Sequence, residues 1–140
     1  MRYIIMRPST PTEQFIFFWK VGERPYGCMS QWFPSPFTDE RGIHYSTAEQ
    51  YMMYQKAVLF GDAEVGQRIL GSRIPHNIKS LGRLVKGFDE EIWQQNRLEI
   101  VIRGNILKFG QNMNLKRVKG GLTPFPPPPL MCLTIPVCDV

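Results

Sequence analysis

The sequence has few of the side chains from which metal centres are built. Its three cysteines, Cys28, Cys132 and Cys138, are odd in number and none stands in a CxxC pair. Neither a disulfide framework nor a zinc site is indicated. The two histidines, His44 and His76, lie far apart, and no metal is assigned. Long hydrophobic runs are missing too, so no segment is expected to span a bilayer. The N-terminal stretch MRYIIMRPSTPTEQ does not have the layout of a signal peptide. These absences lead to the expectation of a cytoplasmic protein, with the nucleus as the alternative. A dense basic run is also lacking. The formal net charge is +5, but the positive residues are scattered, which describes a mildly basic surface better than a nucleic-acid stripe. Acidic residues are absent between Glu99 and Asp139.

What is present suits one compact domain: 140 residues are enough to bury a core. Residues 1–14, with Pro8 and Pro11, read as a loose leader. From Phe15 the run FIFFWKV is rich in aromatic and branched side chains, as in a strand. Between Gly22 and Gly42, Pro25, Pro34 and Pro36 alternate with aromatics, which predicts an irregular but ordered loop. Ile43–Tyr45 reads as a short strand. Ser46–Phe60 is the clearest helix. Ser46-Thr47-Ala48-Glu49 matches a capping box, and Gly61 supplies the stop. Asp62 opens a second helix to about Leu70, and Pro75 opens a third to about Val85. Asp89 caps the longest one, Glu90 to about Phe109, with a weak point at Gly104. Beyond about Leu115 the character changes. Six of the twelve prolines lie between Pro124 and Pro136, which excludes helix or central strand there and favours an extended, irregular tail.

Four constellations carry possible chemistry, and each has a plain structural alternative. Glu49, Met52, Met53 and Lys56 share one helical face, so a carboxylate and an ammonium two turns apart flank two methionines. Charged groups seldom sit inside unless paired or used; alternatively Glu49 only closes the capping box and Lys56 snorkels to solvent. In the loop, Gln31 and Trp32 can face a planar ligand, or Trp32, Phe33 and Phe37 can plug the core. Gly82 permits close backbone approach and Arg83 offers a fork for phosphate, or Arg83 is a surface arginine. Trp93 and Arg97, one turn apart, can sandwich a base, or stack on each other without function.

The order of these segments is more specific than any one of them. FIFFWKV, SQWFPSPF, GIHYSTAEQYMMYQKAVLFGD, IKSLGRLVKGFDEEIW and KFGQN together resemble the NADAR family of YbiA-like N-glycosidases, over residues 15–115. The resemblance implies a small, mainly helical α+β domain with a few short strands. It also implies hydrolysis of an N-glycosidic bond in a phosphorylated riboside. The substrate would be a pyrimidine ribosylamine phosphate of the riboflavin pathway, or ADP-ribose on guanine. Such a reaction develops oxocarbenium-like charge, which a nearby carboxylate stabilises or relieves by activating water. By the resemblance, Glu49 has that role and Trp93 stacks on the base. Lys56, Arg83 and Arg97 contact phosphate or ribose, and Gln31 and Trp32 wall the pocket. No cofactor is implied. The partner is a small phosphorylated riboside or an ADP-ribosyl group, with nucleic acid involved only as an ADP-ribosylated substrate and no membrane.

The resemblance ends near Lys116. Family members continue with a helix and a segment of the type LVEASPxDxxWGxG, whose acidic residue and tryptophan complete the pocket. Here the chain reads RVKGGLTPFPPPPLMCLTIPVCDV, a truncated or replaced C-terminus. Losing several buried side chains, at roughly 1.5–3 kcal/mol each, bears on a domain of marginal stability. Residues 15–115 are thus expected to form an incomplete NADAR-like domain followed by the Pro-rich tail 116–140. The alternatives to an active glycosidase are a catalytically inactive module that binds ADP-ribose or a nucleotide, and a truncated product without function.

Overall fold

The computed structural model describes residues 3–5, 16–18, 21–22 and 26–115. The Pro-rich tail expected over 116–140, with Cys132 and Cys138, lies outside these residues, as does most of the leader expected over 1–14. Within that leader, β1 (Tyr3–Ile5) pairs antiparallel with β2 (Ile16–Phe18), Tyr3 opposite Phe18. The stretch expected to be an irregular loop contains two regular pieces. These are a 3₁₀ turn at Gly27–Met29 and β3 (Phe37–Thr38), which pairs antiparallel with β4 (His44–Tyr45). Four helices follow: α1 (Ala48–Leu59), α2 (Ala63–Gly71), α3 (Pro75–Gly82) and α4 (Glu90–Gln111). This is the small, mainly helical α+β fold expected from the sequence. Among the described residues no helix is long and apolar enough to cross a membrane.

The caps explain where the helices begin. Asp62 accepts from Val65 N at 3.1 Å to open α2, and its other oxygen accepts from Lys86 N at 2.9 Å. One carboxylate thereby ties the start of α2 to the turn before α4. Pro75 occupies the first turn of α3, where its missing N–H loses nothing. Asp89 accepts from Ile92 N at 3.0 Å to start α4. The expected box at α1 is displaced by one residue. Thr47, not Ser46, is the N-cap and accepts from Gln50 N at 3.2 Å. Gln50, not Glu49, reaches back, its Oε1 accepting from Ser46 N at 2.7 Å. The third helix also ends earlier than expected, at Gly82 rather than near Val85.

Helix α1 packs against the other three helices. On one side Met52, Met53 and Ala57 join Val65 and Ile69 of α2, Ile78 of α3, Val85, and Trp93 and Val101 of α4. Fully burying an aliphatic side chain such as Ile69 or Ile78 stabilises the fold by roughly 1.5–3 kcal/mol. On another side Ala48 and Tyr51 meet Phe37 and Tyr45 of the second hairpin. The rings of Tyr45 and Tyr51 meet edge to face at 5.1 Å, a favoured geometry for aromatic quadrupoles. The Tyr45 hydroxyl donates to Asp39 Oδ2 at 2.9 Å, while Asp39 Oδ1 accepts from Arg41 N and Ile43 N and closes the hairpin loop.

The expected weak point at Gly104 is absent, because α4 runs through it unbroken. The glycine is needed for contact: a Cβ there would lie 2.7 Å from Tyr51 Cδ1. Gly104→Ala is therefore expected to lower stability by about 1–3 kcal/mol despite the better helix former. Gly110, with nothing within 4 Å of its virtual Cβ, gives the opposite case. Gly110→Ala is expected to raise stability by up to about 1 kcal/mol. Urea midpoints at unchanged m-value check the pair; shifts in the same direction would contradict this account.

Candidate active site

The displaced cap decides the surroundings of Glu49. Gln50 has taken over the reciprocal capping bond, so the Glu49 carboxylate is left out of the helix cap. Its backbone N–H donates to Gln31 O at 3.0 Å, and its side chain is buried, only 3% exposed. The Trp32 indole donates to the carboxylate, and the Lys79 ammonium acts on it from α3. Burial outweighs both and pushes the Glu49 carboxyl up to about 7. A position in the first turn of α1 also suits an anion, since the helix dipole presents partial positive charge there.

Lys56, two turns further along the same face, does not snorkel to solvent. It is 6% exposed, with its ammonium 4.0 Å from the Phe88 ring centroid and 5.5 Å from that of Trp93. These are cation–π distances, stronger where water is excluded. Trp93 itself is nearly buried and belongs to the main cluster with Met52 and Met53. Along the axis of α1, seven residues separate Glu49 from Lys56, about 10 Å at helical rise.

The loop residues divide. Trp32 is part-exposed at 36% and holds Glu49, whereas Phe37 is the aromatic that plugs the core, at 2%. Gln31 serves twice: its carbonyl receives the Glu49 N–H and its side chain donates to Asn105 Oδ1 at 3.2 Å. Gly82 does not open a path to a ligand, because Met53 Sδ occupies the space where its Cβ would be. Arg83 caps the C-terminus of α3, exposed to solvent and in helical geometry. It therefore shares a face of α3 with Lys79, one turn earlier. Arg97 is half-buried one turn beyond Trp93. The structure thus gathers Glu49, Trp32 and Gln31 at one end of the α1 face and Lys56 with Trp93 at the other. Arg83 is placed on the Lys79 side.

Lys79, Phe88, Asn105 and Lys108 escaped sequence reasoning. Lys79 and Phe88 stand inside the IKSLGRLVKGFDEEIW segment, but Lys79 approaches Glu49 only because α3 packs on α1, and Phe88 meets Lys56 only from the turn before α4. Lys108 lies inside the KFGQN segment, so a signal existed, but its role as a buried cation needs the fold. A separate open cavity of about 670 Å³ lies between α2 and α3, lined by Arg68, Ser72, Asn77, Ser80 and Leu84 among others; Glu49 is not part of its lining.

The chain matches the NADAR domain family over residues 17–119. It belongs to the NADAR family. An N-glycosidase of Acanthamoeba polyphaga mimivirus is 39% identical to it over 112 residues, which cover 76% of this chain and 66% of the viral protein. Protein irg-1 of Caenorhabditis elegans is 32% identical over 81 residues, 56% of this chain and 38% of the worm protein. The solved Escherichia coli protein YbiA is similar in fold, with a TM-score of 0.64 at 21% identity, over 76% of this chain and 61% of YbiA. This NADAR chain spans about two thirds or less of the length of each of these proteins.

The raised carboxyl predicts how stability depends on pH. The folded chain keeps on Glu49 a proton that the unfolded chain releases near 4.5. Stability is therefore expected to fall as pH rises from about 4.5 to about 7 and then to level off. The contribution is roughly 3 kcal/mol. Glu49→Gln should remove this decline, so its urea midpoint exceeds that of the parent chain above pH 7 and not below 4.5. Parallel curves at every pH would contradict the buried carboxyl.

Proposed function

We propose that the chain hydrolyses the N-glycosidic bond of a phosphorylated riboside, with Glu49 as the group that activates water or stabilises the oxocarbenium-like charge. The observation that carries this reading is the Glu49 carboxylate: buried, excluded from the helix cap, held by the Trp32 indole and balanced near neutrality. A general base works best when its pKa lies near the working pH. A carboxylate whose only task was to start α1 would sit in the cap and remain hydrated. Membership of the NADAR family and the mimivirus N-glycosidase support the reaction class.

The other residues take roles that follow from their places. Trp32 orients the carboxylate and, being part-exposed, offers a ring edge at the rim. Lys79 and Arg83 on one face of α3 supply positive charge for a phosphate, with Arg97 as a further contact. Lys56, held against Phe88 and Trp93, puts a desolvated cation at the far end of the α1 face. There it can meet a second anionic or ribose oxygen, with Trp93 beneath the base. Positive charge from α1, α3 and α4 around the α1 face suits an elongated anionic riboside, either a pyrimidine ribosylamine phosphate or an ADP-ribosyl group on guanine. No step requires a cofactor.

The full chain, incubated with a pyrimidine ribosylamine phosphate or with ADP-ribosylated guanine, is expected to release ribose 5-phosphate or ADP-ribose. Glu49→Gln should reduce kcat/KM by about 10²–10⁴-fold. In the parent chain kcat/KM should rise with pH and level off above about 7, as Glu49 loses its proton. Binding of ADP-ribose without turnover would replace this reading with that of a catalytically inactive module. Undiminished turnover by Glu49→Gln would remove Glu49 from the reaction.

A further inference from the structure

Helix α4 carries a row of side chains that hold one stretch of loop. Lys108 Nζ donates to Ser30 O at 2.8 Å, and Asn105 Oδ1 accepts from Gln31 Nε2 at 3.2 Å. Further along, Gln111 Oε1 accepts from Thr38 N at 2.9 Å and its Nε2 donates to Thr38 O at 2.7 Å. Asn112 donates to Pro36 O at 3.1 Å. Two of these contacts stand apart. Lys108 is fully buried, at 0% exposure, with the rings of Phe109 and Phe33 at 5.1 and 5.8 Å from its ammonium. Burying an ammonium is costly unless it is used, and here it is spent on a loop carbonyl. Asn105 is itself oriented by donation to Val101 O at 2.9 Å, which turns its carbonyl oxygen towards Gln31. The two loop residues held in this way, Ser30 and Gln31, directly precede Trp32.

We propose that Asn105 and Lys108 are positioning residues for Glu49. They hold Ser30 and Gln31 so that the Trp32 indole reaches the Glu49 carboxylate and Gln31 O receives the Glu49 N–H. Their effect on Glu49 runs through the loop. The ammonium that acts on the carboxylate through space is that of Lys79. The inference rests on the reading of Glu49 as the reactive carboxylate, and it names a device that adds to the Lys79 charge in favouring the ionised form. Without the clasp the indole donor drifts, the charged form keeps Lys79 but loses its hydrogen-bond donor, and Glu49 holds its proton to higher pH.

The test is a carbon-13 NMR titration of the Glu49 carboxyl in the full, unliganded chain, assigned with Glu49→Gln. In Asn105→Ala and in Lys108→Met the midpoint is expected to rise by about one pH unit, as it should in Trp32→Phe, which removes one hydrogen bond to a charged group. Adding Asn105→Ala to Trp32→Phe should move it no further. Gln111→Ala breaks two bonds to the same loop but lies beyond Trp32, and should leave the midpoint where it is. The acid limb of kcat/KM should move with the titration. An unmoved midpoint in Asn105→Ala would overturn the proposal, as would an equal shift in Gln111→Ala. Should Lys108→Met fail to fold, half-buried Asn105 decides alone. Because the titration needs no turnover, an inactive chain would refute the glycosidase reading while leaving the clasp to be judged by its own result.

Discussion

One buried amide organises this fold. Gln50, 2% exposed, accepts with Oε1 from Ser46 N at 2.7 Å and Ser46 Oγ at 2.9 Å. Its Nε2 is directed at the carbonyls of Ile69 at 3.0 Å, Leu70 at 3.2 Å and Ser72 at 2.8 Å. The last carbonyls of a helix lack partners within it, and here those at the end of α2 find theirs on α1. A single side chain therefore starts one helix and finishes the next. Buried polar networks of this kind stabilise when every member is satisfied and are damaging when one is missing. Among the described residues no buried side-chain nitrogen or oxygen lacks a partner. The consequence for function is indirect but decisive: with capping assigned to Thr47 and Gln50, the neighbouring carboxylate has no structural duty at the helix start.

Glu49, Lys56 and Lys108 are buried, and each meets a different environment. Lys108 donates to a backbone carbonyl, and its ammonium is pulled down to about 8 by desolvation, so it is still charged at neutral pH. Lys56 lies against two aromatic rings. Glu49 has an indole donor and a cation on the adjacent helix, yet burial dominates and its carboxyl rises to about 7. Burial thus leaves the Glu49 carboxyl balanced between its two forms near physiological pH. That balance suits a group that takes and gives a proton near neutrality, whereas Lys108 holds the loop that precedes Trp32.

Helix existence and order were legible in the sequence, because the Ser46–Glu49 stretch, Asp62, Pro75 and Asp89 are local signals whose effect spans one turn. The mainly helical α+β class came from the resemblance to the NADAR family. The displaced cap shows where local reading stops. Ser46-x-x-Glu49 and Thr47-x-x-Gln50 both satisfy the same pattern, and the choice was made by the α2 carbonyls that Gln50 also satisfies. Gly104 shows the same limit: intrinsic propensity marks it as a flaw in α4, but the Tyr51 ring requires it. The site followed the same division. Helical spacing placed Glu49 and Lys56 on one face, and a proline-stiffened loop presented Gln31 and Trp32, but their roles came only with the family resemblance. Lys79, Phe88 and Asn105 could not, since each arrives from an element distant in sequence. Arg83 was seen as a phosphate fork, but its partnership with Lys79 depends on how α3 lies against α1.

The central claim, that Gln50 closes α1 and leaves the Glu49 carboxylate out of the helix cap, is tested most directly by hydrogen exchange at the Ser46 amide. This amide donates to Gln50 Oε1; in an ordinary Ser46-x-x-Glu49 box it would donate to Glu49. In Gln50→Ala, under conditions where the chain stays folded, protection of the Ser46 amide should be lost, and in Glu49→Ala it should be kept. Loss of protection in Glu49→Ala, with retention in Gln50→Ala, would show that the carboxylate serves the helix and would contradict the account.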